Sequence, residues 1–177
     1  MTEKASKYTG PAMFFHWIIF VLIAENIILH PETGDLPPEA IADTVSFHMG
    51  VGLIILVLMI ARLAWRLTHP VPALPSEMPG WQQFAAKAVQ WGLYGAVFFM
   101  VIVGVGIAAV APYGADAFGF VPLNWIAPAN EGLHHTFEEI HEVLRFVIIL
   151  LFLVHAGAAL YHVIAKRDGV MGSMLPW

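Results

Sequence analysis

The chain has 177 residues, 59% of them hydrophobic and 12% charged, with a formal net charge of −5. Soluble domains carry roughly 25% charged residues, so this composition places the chain in a lipid bilayer. It contains no cysteine, which excludes disulfides, thiolate metal sites and iron–sulfur clusters, and its few basic residues form no stripe that would suit nucleic acid.

Four apolar stretches, residues 11–29, 45–67, 84–110 and 140–165, are each about 19 residues or longer and can cross a bilayer. The expected architecture is a single domain, residues 1–177, folded as an all-α four-helix transmembrane bundle. Lys4 and Lys7 precede the first stretch. A basic start before an apolar core also suits a cleaved secretory signal, but Glu25 and the lack of a small-x-small pattern argue for a retained span. The next connection carries Glu32, Asp35, Glu39 and Asp43. Arg62 and Arg66 close the second span, and Pro70, Pro72, Pro75 and Pro79 then favour an extended linker. The third span contains no histidine; its Gly92, Gly95, Gly104 and Gly106 suit close packing against helices or a flat macrocycle, which marks it as scaffold. Residues 115–132 mix Phe118, Phe120 and Trp125 with Pro122 and Pro128, the pattern of a segment lying on the membrane surface. Lys166 and Arg167 follow the fourth span, whereas Asp116, Glu131, Glu138 and Glu139 stand before it. With Lys87 beside the other basic connection, the positive-inside rule puts both termini in the cytoplasm.

His141 and His155 lie fourteen residues apart in the fourth span (155 − 141). That spacing advances a helix by about 21 Å and returns the side chain to within roughly 40° of its starting direction. One helix face therefore presents two imidazoles near opposite sides of the bilayer. His16 enters the first span from the cytoplasmic side and His48 enters the second from the outer side. Matching depths predicts an inner pair, His16 with His155, and an outer pair, His48 with His141, the geometry of two stacked haems each held between two histidines. An imidazole in hydrocarbon needs a partner, so intramembrane histidines tend to mark function. Without cysteine, such haems are b-type. With both axial positions filled, the iron suits electron transfer over oxygen binding.

Gly50 and Gly52 beside His48, and the run 156–159 after His155, leave room for a porphyrin, although helix packing explains them equally well. Arg62 follows His48 by fourteen residues (62 − 48) and reaches the inner level, so Arg62 or Arg66 is a candidate partner for an inner propionate; positive-inside anchoring also accounts for them. Arg145, one turn beyond His141, is a candidate for an outer propionate or a nearby carboxylate. His162, seven residues past His155 on nearly the same face, is placed to hydrogen-bond a quinone carbonyl, or is simply interfacial. Glu25 points about 180° from His16 and has no evident partner. His30, His69, His134 and His135 are expected to be solvated.

These residues resemble the bacterial cytochrome b561 family over nearly the whole chain. The likeness rests on His16 within Phe-Phe-His-Trp, on His48 ahead of a span ending in Arg62 and Arg66, on His141 followed by Glu142, and on His155 with its small-residue tail through His162. The resemblance implies a small protein of the bacterial inner membrane with two b haems and exchange of electrons with ubiquinone. Some members resemble superoxide oxidases, passing an electron from superoxide outside to ubiquinone near the inner haem, which would put His162 at the quinone site. One departure bears on the donor: Glu138, Glu139 and Glu142 surround His141, and an acidic approach steers anions away. A cationic or protein donor suits that surface better than superoxide, unless Arg145 or His135 opens a local positive path. Two rival readings stand beside this one. The first is a cytochrome b anchor subunit of a larger redox complex; the second is a haem-free structural or proton-conducting membrane protein whose histidines and Glu25 form a polar network.

Overall fold

In the computed structural model, which describes residues 7–28, 38–112 and 115–175, the chain folds around four long helices: α1 Gly10–Ile28, α2 Pro38–Thr68, α3 Gly80–Val110 and α4 Glu131–Tyr161. All four are long and apolar enough to cross a membrane. Expectations that fall on Lys4, Leu29, His30, Glu32, Asp35 and the Glu39 side chain lie outside the described residues.

The helices begin where local chemistry allows. Pro11 sits in the first turn of α1, where its missing N–H costs nothing. Pro79 precedes α3 and its carbonyl accepts the N–H groups of Gln82 and Gln83 at 2.9 and 3.1 Å. Asn130 caps α4, its side chain accepting the Leu133 N–H at 3.0 Å, and Glu131 in the first turn complements the helix dipole. All four helices start earlier than hydropathy alone suggests: α1 by one residue (11 − 10), α2 by seven (45 − 38), α3 by four (84 − 80) and α4 by nine (140 − 131). The polar turns 131–139 are helical because they are capped, and a transfer scale registers only the part that enters hydrocarbon. His141 therefore lies ten residues inside α4 (141 − 131) and not at its beginning.

A core of Ile19, Val51, Ile55, Met59, Tyr94, Val97 and Ile148 joins all four helices. Large apolar side chains such as Val57, Ile60, Phe99, Ile102, Phe146 and Leu150 face outward, as a surface solvated by lipid requires. The two ends of the described chain meet at one end of the bundle: the Tyr8 N–H donates to Ser173 O at 3.0 Å, and Trp17 Nε1 donates to Met174 O at 3.0 Å. The other end is closed by a short antiparallel hairpin, β1 Asp116–Ala117 with β2 Val121–Pro122. Ala117 is fully buried among Ala108, Ala111, Ala115 and Leu123. The hairpin is tied to α2 by Phe118 N–H to Ser46 O at 3.0 Å and by the Ser46 hydroxyl to Asp116 O at 2.7 Å.

Candidate functional site

Two histidine pairs face each other inside the bundle. The rings of His16 on α1 and His155 on α4 have centroids 6.2 Å apart, tilted 64° to one another. Those of His48 on α2 and His141 on α4 stand 6.0 Å apart at the same 64° tilt. The first pair lies toward the chain-end side of the bundle and the second toward the hairpin.

The inner pair is framed by basic and aromatic side chains. Arg62 Nη2 donates to His16 Nδ1 at 3.1 Å and its guanidinium lies 5.3 Å from the Tyr94 ring centre. A guanidinium has no acceptor, so the neutral ring held this way carries its proton on Nε2. Arg66 donates to Gln90 Oε1 at 3.0 Å and stacks over Trp91 and Tyr94 at 5.2 and 5.7 Å. A cavity of about 30 Å³ between Thr9, Arg62, Trp65, Arg66 and Tyr94 has the room of a water or two and none for a cofactor ring.

Around the outer pair, α3 comes close: a Cβ at Gly104 would stand 3.8 Å from Cδ2 and Nε2 of His141. The third helix is thus the wall against which one histidine rests, while Gly92 faces Leu151 and Gly106 faces Phe137. Phe118, at φ 54°, lays its ring against Gly50, two residues from His48, and meets Phe47 at 5.9 Å. A bulky residue at positive φ is strained; here that backbone goes with an aromatic ring seated in the groove that Gly50 leaves. Arg145 pairs with Glu142 at 3.2 Å and lies 5.0 Å from the Phe146 ring centre. Its Nε is buried and has no hydrogen-bond partner among the described residues.

His162 follows the end of α4 and its Nδ1 meets Asp168 Oδ2 at 2.5 Å. Nothing in the sequence points to Asp168, because a continuous helix would carry it away; only a reversal at Arg167 brings it back. Of the histidines expected to be solvated, His135 is, beside Glu139 at 3.5 Å. His134 is a correction: it is buried, with Glu138 at 3.4 Å, because the polar start of α4 packs into the fold. His69 also departs from expectation, stacking on Trp65 at 3.6 Å and lying half-buried. Glu25 Oε2 is buried without a hydrogen-bond partner among the described residues.

Four bilayer-length helices with imidazoles brought together in pairs at two levels are the framework of a membrane cytochrome b. The chain belongs to the prokaryotic cytochrome b561 family, whose model it matches over residues 7–177; it is a multi-pass membrane electron-transfer protein of the bacterial inner membrane. It is 26% identical to cytochrome b561 homolog 1 of Escherichia coli over 176 residues, covering 97% of this chain and 98% of the relative. It is 25% identical over 170 residues to a probable superoxide oxidase of Yersinia pestis, covering 96% of each. A cytochrome b562 of Cereibacter sphaeroides is 26% identical over 182 residues, covering 99% of this chain and 98% of that protein.

The family implies haem b, and the residues fit it. No group of three or more His, Asp or Glu side chains among the described residues could hold a metal ion unaided; two imidazoles complete an iron whose equatorial nitrogens come from a porphyrin. A metal–imidazole bond of about 2 Å on each side, with about 1.1 Å more to each ring centre, separates two centroids by roughly 6 Å, the spacing of both pairs. For His16 to bind iron through Nε2, Arg62 must release Nδ1, which leaves a guanidinium at the pair free to take a carboxylate.

Proposed function

We propose that this chain, as one domain with both termini in the cytoplasm, carries electrons between a donor on the outer side of the membrane and ubiquinone on the inner side. The conduit is two b haems, one held by His16 and His155 and the other by His48 and His141. The observation that carries this reading is the repeated facing of two imidazoles, 6.2 and 6.0 Å apart, at two levels of a bilayer-length bundle. The orientation rests on charge: Arg62, Arg66, Lys166 and Arg167 gather at the chain-end side, whereas Asp116, Glu131, Glu138 and Glu139 stand at the hairpin side.

Haem supplies reversible one-electron chemistry; the protein supplies its placement. His16 with His155 and His48 with His141 would hold the two haems and so would leave oxygen no place to bind. Fourteen residues of α4 set the levels about 21 Å apart along the helix. Arg62 and Arg66 are the side chains placed to take inner propionates, and the buried Nε of Arg145 is the donor offered to an outer one. The hairpin and Phe118 shield the outer level from water. At the inner end, His162 offers a hydrogen bond to a quinone carbonyl, and Phe14, Trp17 and Val21 line an apolar groove along α1 that suits an apolar ligand.

Arg145 is neutralised by Glu142, and His135 stands beside Glu139, so neither opens a positive path through the acidic outer face. That favours a cationic or protein donor over superoxide. The test is stopped-flow kinetics on the haem-loaded protein: rapid reoxidation of the reduced protein by a short-chain ubiquinone supports the quinone reading, and reduction by a small basic redox protein is compared with reduction by superoxide. Faster reduction by superoxide at matched concentration would reverse the donor assignment. The acidic face also suits the anchor-subunit reading, which predicts that a larger redox subunit copurifies with the chain from native membranes.

A further inference from the structure

The fourth helix does not end regularly. After Tyr161 it makes a π turn, His162–Lys166, and is broken at Arg167, a non-glycine residue at φ 53°, with Gly169 at φ 79°. Single π turns concentrate at functional sites, and a left-handed arginine is a strained choice where glycine would be free. The reversal folds Asp168 back so that its Oδ2 meets His162 Nδ1 at 2.5 Å while its Oδ1 accepts the Val170 N–H at 3.1 Å. The two side chains are 12% and 22% exposed. A carboxylate fixed at both oxygens only accepts, so the imidazole proton rests on Nδ1 and the lone pair of neutral His162 is on Nε2. That nitrogen has no hydrogen-bond partner among the described residues. Tyr161 stands edge-on to the ring at 5.7 Å, and Lys166 lies over Tyr161 at 5.9 Å; Asp168 is the carboxylate paired with His162.

We propose that Asp168 is a positioning residue that makes His162 the proton donor to quinone at this end of the bundle. The inference rests on the quinone reading above. His162 takes a proton from cytoplasmic water at Nε2, and the fixed carboxylate balances the imidazolium charge. The proton then passes from Nε2 to a quinone oxygen and the ring returns to its neutral form. Each quinone receives two electrons, delivered singly from the one-electron outer donor, and two protons, each drawn from water through His162; the product is the quinol. Without the Asp168 charge the ring is free to hold its proton on either nitrogen and the imidazolium loses its counter-charge.

The experiment uses the full haem-loaded protein, reduced beforehand and mixed with ubiquinone-1, with haem content and spectrum recorded for every variant. D168N keeps an oxygen for the Val170 N–H and so preserves the turn. It should reoxidise at least tenfold more slowly, with the loss in kcat and little change in KM, and D168E should recover much of the rate. H162Q should be slow as well, and H162Q/D168N no slower than H162Q alone, because the carboxylate acts through the imidazole. A wild type that holds haem and is reoxidised, with D168N within twofold of it or with the two losses adding in full, overturns the Asp168 assignment alone. A wild type that holds haem and is not reoxidised by the quinone overturns the quinone reading itself. Should D168N fail to bind haem, D168S, whose hydroxyl can still accept the Val170 N–H, takes its place: with full haem, a loss of at least tenfold supports the assignment and a rate within twofold of the wild type overturns it.

Discussion

Replacing Gly104 separates the two haem levels by steric means without touching a histidine. A Cβ at this position stands 3.8 Å from both Cδ2 and Nε2 of His141, an ordinary van der Waals contact, so Gly104→Ala should keep both haems. Gly104→Ile adds γ carbons about 1.5 Å further out, and a β-branched residue on a helix has essentially one χ1 rotamer with which to place them. The nearest approach to the imidazole falls to roughly 2.5–3 Å, well inside the 3.5–4 Å optimum, and overpacking of this kind costs about 1–3 kcal/mol. His141 must swing away from its place opposite His48. The inner pair lies fourteen residues along α4 and is too distant to couple. Haem per chain, measured as the pyridine haemochrome, should therefore fall from two to one in Gly104→Ile and remain two in Gly104→Ala. Two haems with a wild-type difference spectrum in the isoleucine variant, or loss of the inner haem alone, would refute the placement of Gly104 against an outer ligand.

His155→Ala should remove the inner haem and spare the outer, and His16→Ala/His155→Ala should lose no more than either single variant; retention of both haems by the single variants would sink the pairing. Arg62→Met removes a cation beside the inner pair and should lower that haem's midpoint potential by about 60 mV, one 1.4 kcal/mol step, in a spectroelectrochemical titration; an unchanged potential would take Arg62 away from the inner haem. Glu138→Lys/Glu142→Lys should slow reduction by a basic protein donor about tenfold at low salt and much less at 0.1 M, where screening is within about 10 Å; a rate indifferent to both charge and salt would remove the acidic face from the donor's path.

The spacing of His141 and His155 reveals the two levels because a helix has a fixed period. What the sequence conceals has identifiable causes. The polar first turns of α4 carry no hydropathy signal, so His134 reads as solvated although the Asn130 cap carries it into the fold. Residues 115–132 read as a surface segment over the outer haem, and the hairpin there does cover that end, but nothing local announces that Phe118 would take positive φ to reach Gly50. Arg62 was legible by level and not by partner: its bond to His16 depends on how α1 leans on α2. Asp168 was hidden entirely, since its contact depends on a backbone reversal at an arginine.

Electron transfer through this protein depends on two imidazole pairs that each hold a haem. Pyridine haemochrome quantification, with the reduced-minus-oxidised and electron paramagnetic resonance spectra of the purified protein, tests it most directly. The expected result is two b haems per chain, both six-coordinate and low-spin, with similar strongly anisotropic ferric signals because both ring pairs share a 64° tilt. A protein expressed with ample haem that binds none, or that binds it five-coordinate, would contradict the account and return the four histidines to a structural or proton-transfer role.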